Sequence, residues 1–135
     1  MKISVLLCVF NGEIWIKDSV NSILNQTFQE FEFLIINDGS TDKTREILEI
    51  YEHQYSKIRL INQVNMGLTA SLNYGLKIAK GKWIARIDSD DIALPQRLEK
   101  QYIYAERTNS SLVGCQAKFF SDNNHIISTL SLIHI

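Results

Sequence analysis

The chain has 135 residues, of which 45% are hydrophobic and 21% charged, and its formal net charge is −1. This composition is typical of one globular domain, and the lack of a basic block argues against nucleic acid as a partner. No apolar run approaches the roughly 20 residues of a membrane span, and the N-terminus lacks a signal-peptide pattern. The two isolated cysteines, Cys8 and Cys115, predict neither a zinc site nor a disulfide framework. We therefore expect a cytoplasmic domain with reduced thiols.

Strands and helices alternate along the sequence. Continuous apolar runs predict buried strands, and apolar residues three and four positions apart predict helices. The predicted strands span residues 3–10, 31–37, 58–61, 82–87 and 112–117. The predicted helices between them span residues 14–26, about 41–55, 68–79 and 95–107. This order predicts an α/β fold with a mainly parallel sheet and helices on both faces.

Two of the predicted helices carry signals for their faces and ends. The third has one apolar stripe, which we expect to face the sheet, formed by Leu68, Leu72, Leu76 and Ala79. Gly81 fits the position just past its end, where a left-handed backbone is usual. Pro95 suits the first turn of the fourth helix.

Polar turns follow three of the predicted strands. Asn11-Gly12 ends the first strand, Asp38-Gly39-Ser40 ends the second, and Asp88-Ser89-Asp90-Asp91 ends the fourth. Ligands of parallel α/β sheets bind at the carboxyl ends of the strands. These three turns are therefore predicted to meet at one edge of the sheet and to form the site.

The acidic turn carries three carboxylates within four residues. So many like charges repel each other unless a cation holds them, and carboxylate oxygens suit Mg²⁺ or Mn²⁺. In an extended segment residues two apart point the same way, so we expect Asp88 and Asp90 to converge on one ion while Asp91 points elsewhere. The alternative is a solvated acidic turn with no ligand.

The common phosphate-binding loops are missing from the sequence. No Gly-x-Gly-x-x-Gly follows the first strand, and no Walker-type Gly-x-x-x-x-Gly-Lys-Ser/Thr occurs. Acid-rich turns cannot hold phosphate unaided, but a divalent cation reverses the repulsion. A metal-bridged nucleotide diphosphate therefore fits these turns best.

Four motifs together resemble the family 2 glycosyltransferases of the GT-A fold. The motifs are Ser4–Gly12, Ile36–Asp42, Asn65–Gly67 with Leu72–Gly75, and Ala85–Asp91. They stand in the order of the family over residues 3 to about 107. A single Asp-x-Asp would be a weak signal, whereas four motifs in order are a specific one.

The resemblance implies a Rossmann-like GT-A sheet and an inverting, metal-dependent glycosyl transfer. The donor would be a nucleotide-diphosphate sugar, usually a UDP-sugar, with Mg²⁺ or Mn²⁺ as the cofactor. The acceptor would be a saccharide or a lipid-linked group, as in the synthesis of cell-surface polysaccharides. The metal ion would stabilise the negative charge that builds on the departing diphosphate.

The resemblance also implies roles for individual residues. Phe10 would pack against the base, and Asp38 would hydrogen-bond it. Asp90 would coordinate the cation that bridges the phosphates, Asp88 would reach the ribose or the metal-bound water, and Asp91 would be a further metal carboxylate. The implied donor-binding set is Phe10, Asn11, Asp38, Asn65, Gly67, Arg86, Asp88 and Asp90.

An inverting transfer also needs a general base that takes the proton from the acceptor hydroxyl. In the family this carboxylate lies well downstream of the Asp-x-Asp. Here only Asp122 is acidic after Glu106, and it lies in a polar stretch typical of a turn. We therefore expect the base and the acceptor half to be missing. Any membrane contact would be through that missing part, and the enzyme would be cytoplasmic or peripheral at the inner face of the membrane.

The last six residues, 130–135, match the translation of a transposon-end adapter used in sequencing libraries. We predict that they are not native and exclude them from fold reasoning. Residues 1–129 are then expected to form a partial GT-A domain that binds nucleotide sugars.

Other interpretations of the same residues stay open. The chain could be an inactive fragment that only binds a nucleotide sugar. A nucleotidyltransferase-like domain would carry a Gly-rich basic loop after the first strand, and Phe10–Glu13 is not such a loop. A phosphoacceptor receiver domain would need an acidic pair after the first strand, where the chain has Asn11.

Overall fold

The computed structural model describes residues 1–120 and 126–130. The chain divides into two compact units, the first ending at Pro95 and the second beginning at Gln96. In chain order the elements are β1 (Ile3–Val9), α1 (Ile16–Leu24), β2 (Phe31–Asp38), α2 (Thr44–Gln54), β3 (Ile58–Gln63), α3 (Leu68–Ile78), β4 (Trp83–Asp88), α4 (Arg97–Thr108), β5 (Ala117–Phe120) and β6 (Ile126–Leu130).

The first unit contains a four-stranded parallel sheet in the order β3-β2-β1-β4. Every residue of the two central strands is buried. Continuous apolar runs behave in this way when helices cover both faces of a parallel sheet. The predicted α/β fold is confirmed, because four predicted strands and the three helices between them form at the expected places.

The register of the sheet brings the ends of the strands to one edge. Val9 pairs with Asn37, Cys8 pairs with Asp88, and Asp38 pairs with Gln63. The loops that follow β1, β2, β3 and β4 therefore all leave the same edge of the sheet. This edge, which we call the carboxyl edge, carries every predicted site residue.

The first two helices each bury an apolar face. In α1, Ile16, Val20 and Ile23 are fully buried. In α2, Leu48 is fully buried, whereas Tyr55 lies just past the end of the helix and is exposed. The buried face of α2 therefore ends before Tyr55.

The predicted apolar stripe of α3 is wrong in two of its four residues. Leu68 and Leu76 are 52% and 50% exposed, whereas Ser71 and Gly75 are buried. A Cβ atom on Gly75 would collide with the side chain of Leu6. The helix is held so close to β1 that only small residues fit between them, so residue size rather than hydrophobicity decides which face is buried.

Gly81 also has a different role from the predicted one. The helix ends at Ile78, and the glycines with positive φ are Gly39 and Gly67. A Cβ atom on Gly81 would lie 2.5 Å from the carbonyl carbon of Ile3, and its amide donates to Ser4 Oγ at 2.8 Å. Close approach to the β1 backbone, rather than a left-handed conformation, explains this glycine.

The two cysteines are free thiols, as predicted. Cys8 lies within β1 and is buried. Burial raises the pKa of its thiol to about 11, against a smaller opposing effect of Arg86. Cys8 is therefore a neutral, unreactive core residue at physiological pH.

The second unit contains α4 and an antiparallel pair formed by β5 and β6. The predicted strand at 112–117 is wrong, because residues 112–116 lie outside any strand and Leu112 is 58% exposed. Gly114 interrupts this short apolar run, and such runs do not identify a strand by periodicity alone. No helix within the described residues has the length and apolar character needed to cross a membrane.

Two of the sequence predictions concern residues outside the described ranges. Asp122 lies in 121–125, and residues 131–135 make up all but the first residue of the predicted non-native tail. The first tail residue, Leu130, is the last residue of β6. The non-native origin of residues 130–135 stays a prediction.

We expect Gly81→Ala to lower the free energy of unfolding by about 1–3 kcal/mol, because the added Cβ overlaps rigid backbone of β1. Urea unfolding followed by circular dichroism measures the change. Lys80→Ala is the matched control, because the Lys80 side chain is exposed and its amide still donates to Glu32. We expect the control to stay within about 0.5 kcal/mol of wild type. Equal stability of the two variants would contradict the close-approach argument.

Candidate functional site

The loops after β1 and β2 are bonded to each other across the carboxyl edge. Asn11 has a left-handed backbone, with φ 53°, and its Oδ1 accepts the amide of Thr41 at 2.8 Å. In return the Asn11 amide donates to Ser40 Oγ at 3.0 Å. The Gly12 amide donates to Thr44 Oγ1 at 2.9 Å. Asn11 therefore fixes the shape of this edge through its own amide and carboxamide.

A second exchange of hydrogen bonds joins Glu13 to the start of α2. The Glu13 amide donates to Asp42 Oδ2 at 3.1 Å, and Glu13 Oε2 accepts the Lys43 amide at 2.8 Å. Asp42 Oδ1 also accepts the Thr44 amide at 3.0 Å. Burial raises the pKa of Asp42, but the hydrogen bonds from Thr44 and Glu13 outweigh it and hold that pKa below its usual value. Asp42 therefore stays ionised and joins the two loops.

Phe10 follows directly after β1 and is 52% exposed. Its neighbours in the strand are fully buried, so the chain leaves the core at this residue. An exposed aromatic ring at a strand end offers a flat apolar face to a planar ligand. Phe10 therefore stands at the carboxyl edge in a position suited to stacking.

The buried carboxylate of Asp38 holds the loop that follows β3. Its Oδ1 accepts the Met66 amide at 2.9 Å and the Gln63 side-chain amide at 2.8 Å. Its Oδ2 accepts the Gly67 amide at 2.9 Å. Asp38 is only 4% exposed. A carboxylate offers about four acceptor positions, so the loop donors occupy most of them.

The hydrogen bonds of Asp38 set its charge state. Burial raises its pKa, but hydrogen bonds from Gln63, Met66, Ser71 and Gly67 outweigh that effect and hold the pKa below its usual value. Asp38 is therefore an anion at neutral pH although it is buried.

The same loop is held by further contacts. Asn65 Nδ2 donates to the carbonyl oxygen of Asp38 at 3.0 Å. Gly39 has φ 74°, and a Cβ atom on it would lie 2.6 Å from the Asn65 amide nitrogen. Ser71 Oγ accepts from Gln63 Nε2 at 2.9 Å and donates to the Gly67 carbonyl at 3.0 Å. The turn at 65–67 is therefore bound to β2, β3 and α3 together.

The acidic turn differs from its prediction in one respect. Asp88 is the last residue of β4, and the Asp91 amide donates to the Asp88 carbonyl at 3.1 Å, which closes a turn. Strand alternation therefore ends at Asp88, and the expectation that it aligns Asp88 with Asp90 is wrong. Arg86 and Asp88 are two residues apart within β4, so their side chains lie on the same side of the strand, and the Arg86 guanidinium is 2.7 Å from Asp88 Oδ1. Asp88, Asp90 and Asp91 are all exposed.

The chemistry of the acidic turn suits a hard divalent cation. No group of three or more His, Cys, Asp or Glu residues is gathered as a metal site within the described part of the chain. Mg²⁺ and Mn²⁺ bound with a nucleotide usually take one or two carboxylates, and phosphates and water fill the other positions. Exposed Asp88 and Asp90 supply that number of carboxylates, so the residues fit such an ion.

The structure brings the predicted residues to one edge and adds residues that sequence reasoning missed. The predicted set of Phe10, Asn11, Asp38, Asn65, Gly67, Arg86, Asp88 and Asp90 lies in or beside the four strand-end loops. The missed residues are polar side chains that hold these loops, namely Thr44, Gln63 and Ser71. Ser71 was detectable in principle, because it interrupts the apolar pattern of a helix.

Fold and site together define a Rossmann-like α/β domain with an acidic turn at the carboxyl edge of its sheet. A family model described as glycosyl transferase family 2 matches residues 4–133. The chain therefore belongs to glycosyltransferase family 2, which confirms the resemblance seen in its four motifs.

Similar proteins carry names that agree with this family. The chain is 44% identical over 108 residues to an uncharacterized glycosyltransferase of Haemophilus influenzae, covering 79% of this chain and 33% of that protein. It is 40% identical over 129 residues to the uncharacterized glycosyltransferase MJ1057 of Methanocaldococcus jannaschii, covering 93% of this chain and 44% of that protein. The chain thus spans less than half the length of these two relatives.

A solved structure shares both fold and sequence with the chain. It is S. aureus TarS 1-349 in complex with UDP-GlcNAc, which matches with a TM-score of 0.76 and 31% sequence identity. The match covers 82% of this chain and 32% of TarS 1-349.

We expect Asp38→Asn to lower the free energy of unfolding by about 2–3 kcal/mol at pH 7, because an amide cannot accept all the donors that surround the carboxylate. The pKa of Asp38 is lowered in the folded chain. Its contribution is therefore complete above its usual pKa of about 4 and is lost as the pH falls through the lower folded pKa. Urea unfolding of both proteins from pH 7 to pH 3 should show the difference shrink at the acid end.

Asp18→Asn is the control for this experiment. Asp18 is an exposed carboxylate in the first turn of α1, so we expect a change of at most about 1 kcal/mol. A stability difference between wild type and Asp38→Asn that stays constant across the pH range would contradict the ionised state of Asp38.

Proposed function

We propose that the chain binds the donor of a glycosyl transfer, a nucleotide-diphosphate sugar of the UDP-sugar class, together with Mg²⁺ or Mn²⁺. The observation that carries the proposal is the register of the sheet. It places an exposed aromatic ring, a loop organised by a buried carboxylate and an exposed acidic turn at one edge. TarS 1-349, with the same fold and 31% identity, was solved with UDP-GlcNAc.

The three features divide the donor between them. The ring of Phe10 stacks on the base. The carboxylate of Asp38 accepts an N–H of the base, and the loop at 65–67, which is bonded to Asp38, lies beside the base. Arg86, Asp88 and Asp90 meet the ribose and the diphosphate at the far side of the edge.

The transfer step breaks the bond between the sugar and the diphosphate and builds negative charge on the leaving diphosphate. A bound divalent cation supplies charge stabilisation at this point. Asp88 and Asp90 are the residues that would hold it, and Arg86 adds a fixed positive charge beside them. We further propose that the transfer is inverting and that the acceptor is a saccharide or a lipid-linked group. An inverting transfer needs a base that removes the proton from the acceptor hydroxyl.

The alternative within the same family is a chain that binds donor and metal but transfers no sugar. The sequence offers no carboxylate after Glu106 except Asp122. Incubation with UDP-sugars and Mn²⁺, with UDP release as the readout, separates the two cases. Release above the rate without protein indicates an active site, and binding without release indicates a donor-binding fragment.

Isothermal titration of the chain with UDP tests the proposed donor site. We expect binding in the presence of Mn²⁺ and at least about tenfold weaker binding with EDTA. Asp90→Asn should weaken the Mn²⁺-dependent binding by a similar factor, because it removes a metal carboxylate with little change in shape. The exposed Asp18→Asn is the matched control and should bind as wild type does. A folded wild-type chain that binds no UDP at any Mn²⁺ concentration would overturn the proposal.

Phe10 gives an independent test of the base-binding end. We expect Phe10→Ala to weaken UDP binding about fivefold to tenfold, because stacking on an aromatic ring contributes on the order of 1 kcal/mol. Phe10→Tyr should bind UDP as tightly as wild type, since it keeps the ring. Phe10 is half exposed, so thermal unfolding should change little in either variant. Unchanged affinity of Phe10→Ala would remove Phe10 from the site.

A further inference from the structure

Helix α1 presents a row of polar side chains to the acidic turn and to the three residues that follow it. Ser19, Ser22 and Gln26 are spaced three and four positions apart, so they lie on one stripe of the helix or its immediate extension. We call these three residues the α1 ladder. Two of them are almost completely buried, with Ser19 1% and Gln26 2% exposed.

Each residue of the α1 ladder bonds to the backbone of the segment 88–94. Ser19 Oγ donates to the Asp88 carbonyl at 3.1 Å, and the Ala93 amide donates to Ser22 Oγ at 3.0 Å. Gln26 Nε2 donates to the Leu94 carbonyl at 2.8 Å. The ladder therefore holds the segment 88–94, which we call the acidic segment, near both its ends.

The ladder residues are also fixed on their own helix. Ser22 Oγ donates to the Ser19 carbonyl at 2.7 Å, and Gln26 Nε2 donates to the Ser22 carbonyl at 3.0 Å. Ser22 and Gln26 each bond both to their own helix and to the segment 88–94, so their side chains have little freedom to rearrange. The main-chain groups that they bond, in the segment 88–94, are restrained in turn.

The contacts leave the carboxylates of the acidic segment to solvent. The ladder bonds to carbonyl and amide groups of the main chain, whereas the side chains of Asp88, Asp90 and Asp91 are exposed. Three exposed carboxylates within four residues repel each other, and a flexible loop would separate them. The ladder therefore restrains the main chain that carries these carboxylates.

We propose that Ser19, Ser22 and Gln26 are positioning residues that preorganise the acidic turn for the metal ion and the diphosphate of the donor. This inference rests on the proposed function, because it gives the turn a ligand to be organised for. Preorganisation raises affinity by removing the ordering cost from the binding step. The ladder itself touches neither metal nor donor.

Two variants and two readouts test the ladder. Ser22→Ala removes the acceptor of the Ala93 amide, and Gln26→Met removes the donor to the Leu94 carbonyl at similar side-chain volume. The first readout is hydrogen–deuterium exchange of the segment 88–94 in the ligand-free chain. The second is the dissociation constant of UDP at saturating Mn²⁺, measured by isothermal titration.

The control is Ser4→Ala. Ser4 Oγ donates to Glu32 at 2.5 Å and accepts the Gly81 amide at 2.8 Å, so this variant also loses buried hydrogen bonds. Ser4 lies at the start of β1, at the opposite edge of the sheet from the acidic turn. Its loss tests general destabilisation without a contact to the segment 88–94.

We expect Ser22→Ala and Gln26→Met each to raise exchange in the segment 88–94 and to weaken UDP binding about fivefold to tenfold, as for the loss of one hydrogen bond. Ser4→Ala should leave both readouts unchanged, and Ser22→Thr, which keeps the hydroxyl, should bind UDP as wild type does. Wild-type affinity in both ladder variants overturns the proposal, as does equal weakening by Ser4→Ala. A wild-type chain with a protected segment 88–94 that binds no UDP overturns the proposed function, and the positioning role with it.

Discussion

The pairing of β1 with two parallel neighbours is the constraint on which the rest of the first unit depends. Because of its register with β2 and β4, these three strands end at nearly the same level. The pairing of β2 with β3 brings the end of β3 to that level as well. Residues far apart in sequence, such as Asn11, Asp38 and Asp88, meet only because of this register. A shift of one strand by one residue would turn its side chains to the opposite face of the sheet and move its end away from the others.

Buried polar groups then give the edge its shape. Asp38 is ionised in the interior because hydrogen-bond donors surround its carboxylate. Ser19 and Gln26 are buried and bond to the main chain of the segment 88–94. No buried side-chain nitrogen or oxygen among the described residues lacks a hydrogen-bond partner. Such fully satisfied networks favour one arrangement of the loops over many, and they leave the exposed aromatic ring and carboxylates as the groups available to a ligand.

The sequence predicted those features that depend on local pattern. Apolar runs located β1, β2 and β4, and strand-end turns located Asp38 and Asp88, because these signals need no knowledge of packing. The face of α3 could not be predicted in this way, since Ser71 and Gly75 are buried by the closeness of β1 rather than by their own hydrophobicity. The α1 ladder was missed for a related reason. Polar residues on a helix suggest an exposed face, and only the fold shows a backbone segment that binds them.

The hydrogen bonds between the loops after β1 and β2 limit how the carboxyl edge can bind an anion. Free amides at a helix start form the phosphate cradle of many nucleotide-binding folds. Here the amides of Asn11, Gly12 and Glu13 already donate to Ser40, Thr44 and Asp42. In the proposed donor complex these amides would not be available to the diphosphate, which would rely on Arg86 and a divalent cation for its counter-charge. The retention of donor would then follow the concentration of free divalent metal around the protein, and a chelator would weaken it.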